Sequence, residues 1–343
     1  MPSLDQALVE AGLQEQNEQL RKANQHLQTK LLRAKEKVDD LVTATIEAAY
    51  DASISIGAKP LITPPTKDRR KHPGEVALWH LTDWQLAKKS ASYDSEVAKE
   101  RVQRFVDKAI TLTEVKRASH PVKSCVVLFT GDMLEGLFNF PSQAHEIDQT
   151  LFGQYATTAR LIADVVAQAL NTYETVIVVP EWGNHGRIGS KRDGVPRSDN
   201  LDRMAYELAR QLIGQNKRLT WQDCPEDIQR IEIGNYRAIA IHGDEVGRNG
   251  FASPSAIVAH VARWQSGSYP WAFRDCYLGH YHTHAEWALP NGHGSVYQTG
   301  STESDNRYAG VLLAASATPS QRLHFIDPIK GRVTSTHKIW LDA

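Results

Sequence analysis

The chain has 343 residues, 41% apolar and 23% charged, which allows one large domain with an appendage or two smaller ones and excludes a disordered or fibrous polymer. With 39 Lys and Arg against 40 Asp and Glu the net charge is -1, so overall charge does not recruit a polyanion and any electrostatic attraction has to be local. Apolar runs such as Val126–Phe129 and Val176–Val179 are strand-sized, far below the ~18 residues of a membrane helix.

The N-terminus, MPSLDQALVE, has no basic stretch leading into an apolar one, which predicts a cytoplasmic protein. Residues 10–50 contain no proline and carry a seven-residue repeat. Leu13, Leu20, Leu27, Ala34 and Leu41 fall at d, and Asn17, Asn24, Leu31 and Val38 at a. This seam predicts a coiled-coil helix over 1–50 and a homodimer through residues 10–50, because asparagine at a is a poor core residue but selects register and a two-stranded partner. Residues 51–74, with three prolines before the basic run Lys67, Arg69, Arg70 and Lys71, read as a solvated linker.

From Glu75 onward, strand-like runs alternate with helical patterns. VALWHLT, SCVVLFT, TVIVVP, RAIAIHG, DCYLG and SVYQTG read as strands; Ser95–Arg117, Ala144–Leu170 and Leu201–Ile213 read as helices. Alternation of this kind predicts an α/β domain over 75–343 with a largely parallel central sheet. LLAASA, QRLHFID and VTSTHKIWL then read as closing antiparallel strands, and a second sheet is expected. Cys125, Cys224 and Cys276 are odd in number and widely separated, so they fit neither a disulfide framework nor a CxxC zinc site and are expected as reduced core thiols.

The informative pattern lies in the polar residues just beyond each strand. Asp83 comes after the first, Gly131 and Asp132 after the second, and Gly183, Asn184 and His185 after the third; His242 ends RAIAI, and Gly279, His280, Tyr281 and His282 end DCYL. Ligand sites of open α/β sheets form beyond the carboxyl ends of strands, so these residues are expected at one edge. Carboxylate, amide and imidazole together describe a metal site. Singly, Asp83, Asp132 and Asn184 read equally well as turn formers or helix caps, and each histidine as a core residue.

The series Asp83-Trp84-Gln85, Gly131-Asp132, Gly183-Asn184-His185-Gly186, His242 and Gly279-His280-Tyr281-His282 resembles the calcineurin-like metallophosphoesterase superfamily, over roughly Val76 to the C-terminus. The resemblance implies two mixed β-sheets flanked by helices and a pair of divalent metal ions. Asp132 would bridge them, with Asp83, Gln85 and His282 on the first and Asn184, His242 and His280 on the second. His185 would assist the leaving group as general acid or cationic stabiliser, and Glu135 would orient it and raise its pKa. Gln85 stands where the family has histidine; its amide oxygen is a weaker, harder donor, which tilts the first site toward Mn²⁺ or Mg²⁺ over Zn²⁺. Mn²⁺ is the leading cofactor expected, with Mg²⁺, Zn²⁺ and Fe as alternatives. Gly186 replaces the acidic residue that protein phosphatases carry there, which argues against a phosphoprotein substrate. The next loop carries Arg187, Lys191, Arg192 and Arg197, and Arg187, Lys191 and Arg192 are expected to hold flanking phosphates of a nucleic acid. GNHGR, FNFPSQAHE and TGSTESDNRYAG look similar to phosphoesterases of bacteriophage genomes, often named as nuclease-like. The expected activity is hydrolysis of phosphodiesters in nucleic acid. The alternatives are a small-molecule phosphodiesterase or nucleotidase, and a catalytically weakened scaffold assembling through its coiled coil.

Overall fold

A computed structural model describes residues 18, 20–22, 24–25, 29–30, 58–72, 74–138, 143–188, 196–246, 252–290, 292–303 and 318–342. The chain divides into two compact units, Met1–Ile54 and Ser55–Ala343. In the first, the described residues are helical and exposed, among them Leu20 and Asn24; the remaining seam positions, Leu13, Asn17, Leu27, Leu31, Ala34, Val38 and Leu41, lie outside the described residues.

The second unit contains two mixed sheets with helices on their outer faces. One sheet has the order β11-β10-β1-β2-β3-β4, from β1 (Glu75–Leu81), β2 (Val122–Thr130), β3 (Thr175–Glu181), β4 (Leu219–Trp221), β10 (Ser320–Asp327) and β11 (Arg332–Trp340). Its strands β1 to β4 run parallel, and β10 pairs antiparallel with both β1 and β11. The other has the order β5-β6-β7-β9-β8, from β5 (Gln229–Ile233), β6 (Tyr236–Ala240), β7 (Asp275–Leu278), β8 (Ala285–Ala288) and β9 (Ser295–Gln298). The closing strands are antiparallel as expected, but they widen the first sheet; the second sheet is built from β5 to β9. LLAASA lies outside the described residues.

Alternation along each strand explains the layering. In β2, Val126 and Leu128 point between the sheets and meet Ile231, Tyr236, Ala238 and Tyr277, while Cys125, Val127 and Phe129 point the other way, under the helices. Those helices are α1 (Ser95–Arg117), α2 (Leu151–Thr172) and α3 (Leu201–Ile213). In α1 the buried residues Ala98, Val102, Phe105, Val106, Ala109 and Thr113 recur at helical spacing with no glycine or proline to interrupt them. The helix α4 (Pro254–Arg263) covers the outer face of the second sheet with Ile257 and Val261. Side-chain caps start all four: Asp94, Thr150, Asn200 and Ser253 accept from backbone amides of the first turn.

One expectation is corrected. The second helix begins at Leu151 rather than Ala144, after a 3₁₀ turn over Gln143–His145, because Asp148 is drawn to the start of α1, accepting from Ser95 N at 2.7 Å and Ser95 Oγ at 2.6 Å. Residues 58–72 are largely exposed, as a solvated linker would be, and touch the second unit's body at points: Thr63 N donates to Asn171 Oδ1 at 2.6 Å, and Lys123 Nζ donates to the Arg70 carbonyl at 2.9 Å. All three cysteines are free and buried. Among the described residues, no helix is long and apolar enough to cross a membrane.

Candidate metal centre

The carboxyl ends of β1, β2, β3, β6 and β7 lie together, although β6 and β7 belong to the second sheet. The loops beyond them run in a conformation that L-residues avoid. Among the described residues six non-glycines have left-handed φ, and five are predicted ligands: Asp83 (50°), Gln85 (40°), Asp132 (53°), His280 (66°) and His282 (55°). The sixth, Ala87, is two residues from Gln85. Each such residue costs ~1–3 kcal/mol, and concentrations of them mark functional sites. Glycines permit the close passage: a Cβ on Gly183 would stand 2.0 Å from Asp132 Oδ1, and one on Gly279 would stand 2.4 Å from Asp83 Oδ2.

Four atoms able to accept converge on one point. His242 Nε2 is 3.1 Å from Asp132 Oδ2, 3.1 Å from Asn184 Oδ1 and 3.1 Å from His280 Nδ1. The other nitrogen of His242, Nδ1, lies 2.7 Å from the Thr130 carbonyl, which can only accept, so Nδ1 carries the proton and Nε2 offers its lone pair in the neutral ring. Oxygens and nitrogens meeting in this way repel unless a proton or a metal cation lies among them. Asp132, His242 and His280 satisfy the spacing for one, their ligand atoms all lying within 4.8 Å of one another. The chemistry of the donor set therefore fits a divalent metal.

On the other side of Asp132 the arrangement is similar but mixed. His282 Nε2 is 3.3 Å from Asp83 Oδ1, a fully buried oxygen with no hydrogen-bond donor of its own, while Asp83 Oδ2 accepts from Thr82 Oγ1 at 2.8 Å and His280 N at 2.9 Å. Gln85 is also present. Its amide nitrogen lies 3.2 Å from His185 Nε2 and 3.3 Å from His282 Nε2, and its oxygen is 3.4 Å from Lys88 Nζ, so the nitrogen faces the pocket; a half-turn of the amide would present the oxygen.

Between the two groups stands His185, whose Nδ1 is 3.1 Å from Glu135 Oε2 and whose backbone amide donates to Asp132 Oδ1 at 2.7 Å. Burial works against its imidazolium, but Glu135 and Asp132 outweigh burial and hold its pKa up at about 9. The same contest, won by Asp83 and Glu303, lifts His282 to about 10, and Asp132 raises His242 well above its ordinary value. Three imidazoles that retain their protons against burial show a pocket of negative potential, the same preference that retains a metal cation.

Several residues that build the site carried no signal in the sequence. Asp202, in the first turn of α3, accepts from three backbone amides: Asp132 N at 2.9 Å, Gly183 N at 2.9 Å and Met133 N at 3.0 Å. Asn200 donates to the Gly183 carbonyl at 2.8 Å, so one helix start ties the second and third strand-end loops together. Gly186 has a packing cause, since a Cβ there would meet Asn200 Oδ1 at 2.5 Å. Arg187 is 7% exposed and paired with Asp244, so its guanidinium is committed to the wall of the site rather than presented to a passing strand. Arg197 reaches the same Asp244 at 3.1 Å, and Lys191 and Arg192 lie outside the described residues.

No protein-family model matches the chain, and no curated protein matches it by sequence. Solved structures are similar at low identity. Vps29 of Entamoeba histolytica, solved with zinc, is 15% identical with a TM-score of 0.37, covering 78% of this chain and 99% of its own. A hypothetical protein of Pyrococcus horikoshii is 13% identical with a TM-score of 0.38 over 78% of this chain and 89% of its own. A protein of Streptococcus pneumoniae described as a predicted phosphoesterase is 12% identical with a TM-score of 0.30 over 78% and 98%. Likenesses of this size say nothing of what this chain binds or does.

Proposed function

We propose that this chain is a divalent-cation-dependent phosphoester hydrolase of the calcineurin-like metallophosphoesterase kind that its motifs resemble, acting on phosphodiesters. The observation that carries the reading is the meeting of acceptor atoms from separate strand ends around Asp132, beside a histidine whose proton a carboxylate secures. Asp83, Asp132 and His282 would hold one cation and Asp132, Asn184, His242 and His280 another; when bound, the pair supplies Lewis acidity toward phosphate oxygens and lowers the pKa of water.

The chain's own groups do the rest. The Asp132 carboxylate holds the His185 backbone through its amide, which fixes where the imidazole stands. Glu135 holds the proton on Nδ1, so the proton on Nε2 faces the pocket and is available to a departing alkoxide, a contribution of ~10²–10⁴ in rate. Burial of Asp83 and Asp132, at 0% and 1% exposed, keeps bulk water from competing for their oxygens.

Nucleic acid is the proposed substrate class, supported by the remaining basic residues of the loop, Lys191, Arg192 and Arg197, the last with its side chain 38% exposed. The test is hydrolysis of bis(4-nitrophenyl) phosphate and of single- and double-stranded oligonucleotides with Mn²⁺, Mg²⁺ and Zn²⁺. Turnover should vanish on chelation and in Asp132→Asn. Undiminished turnover in that variant would refute the assignment, and cleavage of the aryl ester or of free nucleotides but of no oligonucleotide would refute the substrate.

A further inference from the structure

Behind the Asp83 side of the pocket is a buried ion pair whose carboxylate reaches one of the candidate ligand rings directly. Glu303, beyond β9, is 4% exposed. One of its oxygens, Oε1, lies 2.6 Å from Lys88 Nζ, and the other, Oε2, lies 3.3 Å from His282 Nδ1. A carboxylate can only accept, so it holds the proton on Nδ1 whatever the state of the ring, and the Nε2 of His282 is the atom left facing Asp83 Oδ1 at 3.3 Å. Lys88 also reaches the Gln85 amide oxygen at 3.4 Å. Its backbone amide donates to the Gln85 carbonyl at 2.9 Å, so a single turn brings the ammonium back beneath residue 85. By contrast the His242 ring is held by a neutral group, the Thr130 carbonyl.

We propose that Glu303 is a positioning residue that presents His282 Nε2 as a cation ligand, and that Lys88 sets the affinity of that half of the pocket by offsetting the charge of Glu303. The proposal rests on the reading of Asp83, Asp132 and His282 as a cation site. A carboxylate behind a ligating imidazole fixes its orientation and raises its basicity, and loss of such a partner costs 10–100-fold in metal affinity. A lysine neutralising that carboxylate works in the opposite direction. Removing Glu303 should therefore weaken one cation and removing Lys88 should strengthen it, and misfolding cannot produce both signs.

The test is calorimetric titration of the full chain with Mn²⁺ after chelator treatment, independent of any activity. The parent should show two steps. In Glu303→Ala one step should weaken ~10–100-fold while the other stays within ~3-fold; Glu303→Gln, which keeps an acceptor for Nδ1, should recover most of the loss. In Lys88→Met the same step should tighten ~3–10-fold. Histidine ¹⁵N spectra of the chelated protein should show the His282 Nδ1 signal moving in Glu303→Ala. Two unaltered steps in Glu303→Ala, an equal loss at both, or a Lys88→Met step weaker than in the parent would overturn the proposal. A parent chain with no saturable Mn²⁺ binding would overturn the cation site itself, and this proposal with it.

Discussion

The carboxylate of Asp202 is the hinge pin of the site, and its removal has a magnitude that can be worked out. In Asp202→Ala the amides of Asp132, Met133 and Gly183 lose the acceptor that holds them at 2.9–3.0 Å, and each buried donor left unpaired costs ~1–3 kcal/mol. Against this, burial and the neighbouring Asp132 hold the Asp202 pKa up from 3.8 to about 6, so the ionised carboxylate already carries a cost of roughly 3 kcal/mol that the variant sheds. Water entering the vacated space repairs part of the rest. The expected net loss is ~2–4 kcal/mol near neutral pH, or a fall of about 3–7 °C in Tm for a unit of this size. Because the freed amides belong to the loops that carry Asp132 and Asn184, Mn²⁺ affinity should fall at least tenfold in the same variant. Calorimetry and thermal melts measure both. A variant that melts within about 1 °C of the parent and binds Mn²⁺ equally well would show that α3 does not organise these loops.

In His185→Ala turnover should drop ~10²–10⁴-fold while Mn²⁺ binding stays within ~3-fold, and Glu135→Gln should reproduce most of the loss; parallel loss of cation binding would make His185 a ligand instead. Away from the site, Asp275 at the start of β7 is 2% exposed, accepts from Ser295 N at 2.8 Å, and is pushed up to about 6 by burial. Its folded pKa exceeds the unfolded 3.8, so the parent loses stability as pH rises from about 4 to 6, and Asp275→Asn should gain ~2–3 kcal/mol relative to the parent over that interval in denaturant titrations; a flat difference would refute the shift. Gly186→Ala forces a Cβ to within 2.5 Å of Asn200 Oδ1 and should cost ~1–3 kcal/mol, whereas an unchanged Tm would show that the loop gives way freely. Sedimentation should find the full chain dimeric and residues 55–343 monomeric, and a monomeric full chain would remove the proposed pairing through residues 10–50.

Much of the fold is legible in the sequence because long periodic segments outweigh local ambiguity. Ser95–Arg117 and Leu201–Ile213 are helices at the predicted bounds, and each predicted strand before Gly300 corresponds to an observed one. The elements that escaped prediction are short or half-exposed. β4 has three residues, and β5, QRIEI, alternates buried and exposed positions with polar side chains outward, so neither offers a continuous apolar run. The destination of the closing strands was illegible for a different reason. β10 lies beside β1 across more than two hundred residues of sequence, and strand propensity contains no information about which partner a strand selects.

The site divides along the same line. Ligand candidates were readable because each comes directly after an apolar strand, where topology alone delivers it to the edge. The residues that hold those candidates in place were not, because each looks locally like something common. Asp202 is an acidic residue in a helix's first turn, Asn200 an N-cap, Glu303 a loop carboxylate and Lys88 a surface-type lysine. Their functions exist only through space: Asp202 acts on residues 70 and 19 positions away, Glu303 on a histidine on another loop. Arg187 shows the error that comes from summing charge along a loop. Its partner Asp244 comes from the loop after the neighbouring sheet's β6, two residues beyond His242, so a cation counted as free for substrate is engaged in clasping the two sheets' strand ends together. In a site assembled from several strand ends, the polar side chains that bind and those that brace are therefore told apart by geometry, and here the bracing set, Asp202, Asn200, Asp244 and Glu303, is where substitutions should separate cation affinity from chemistry.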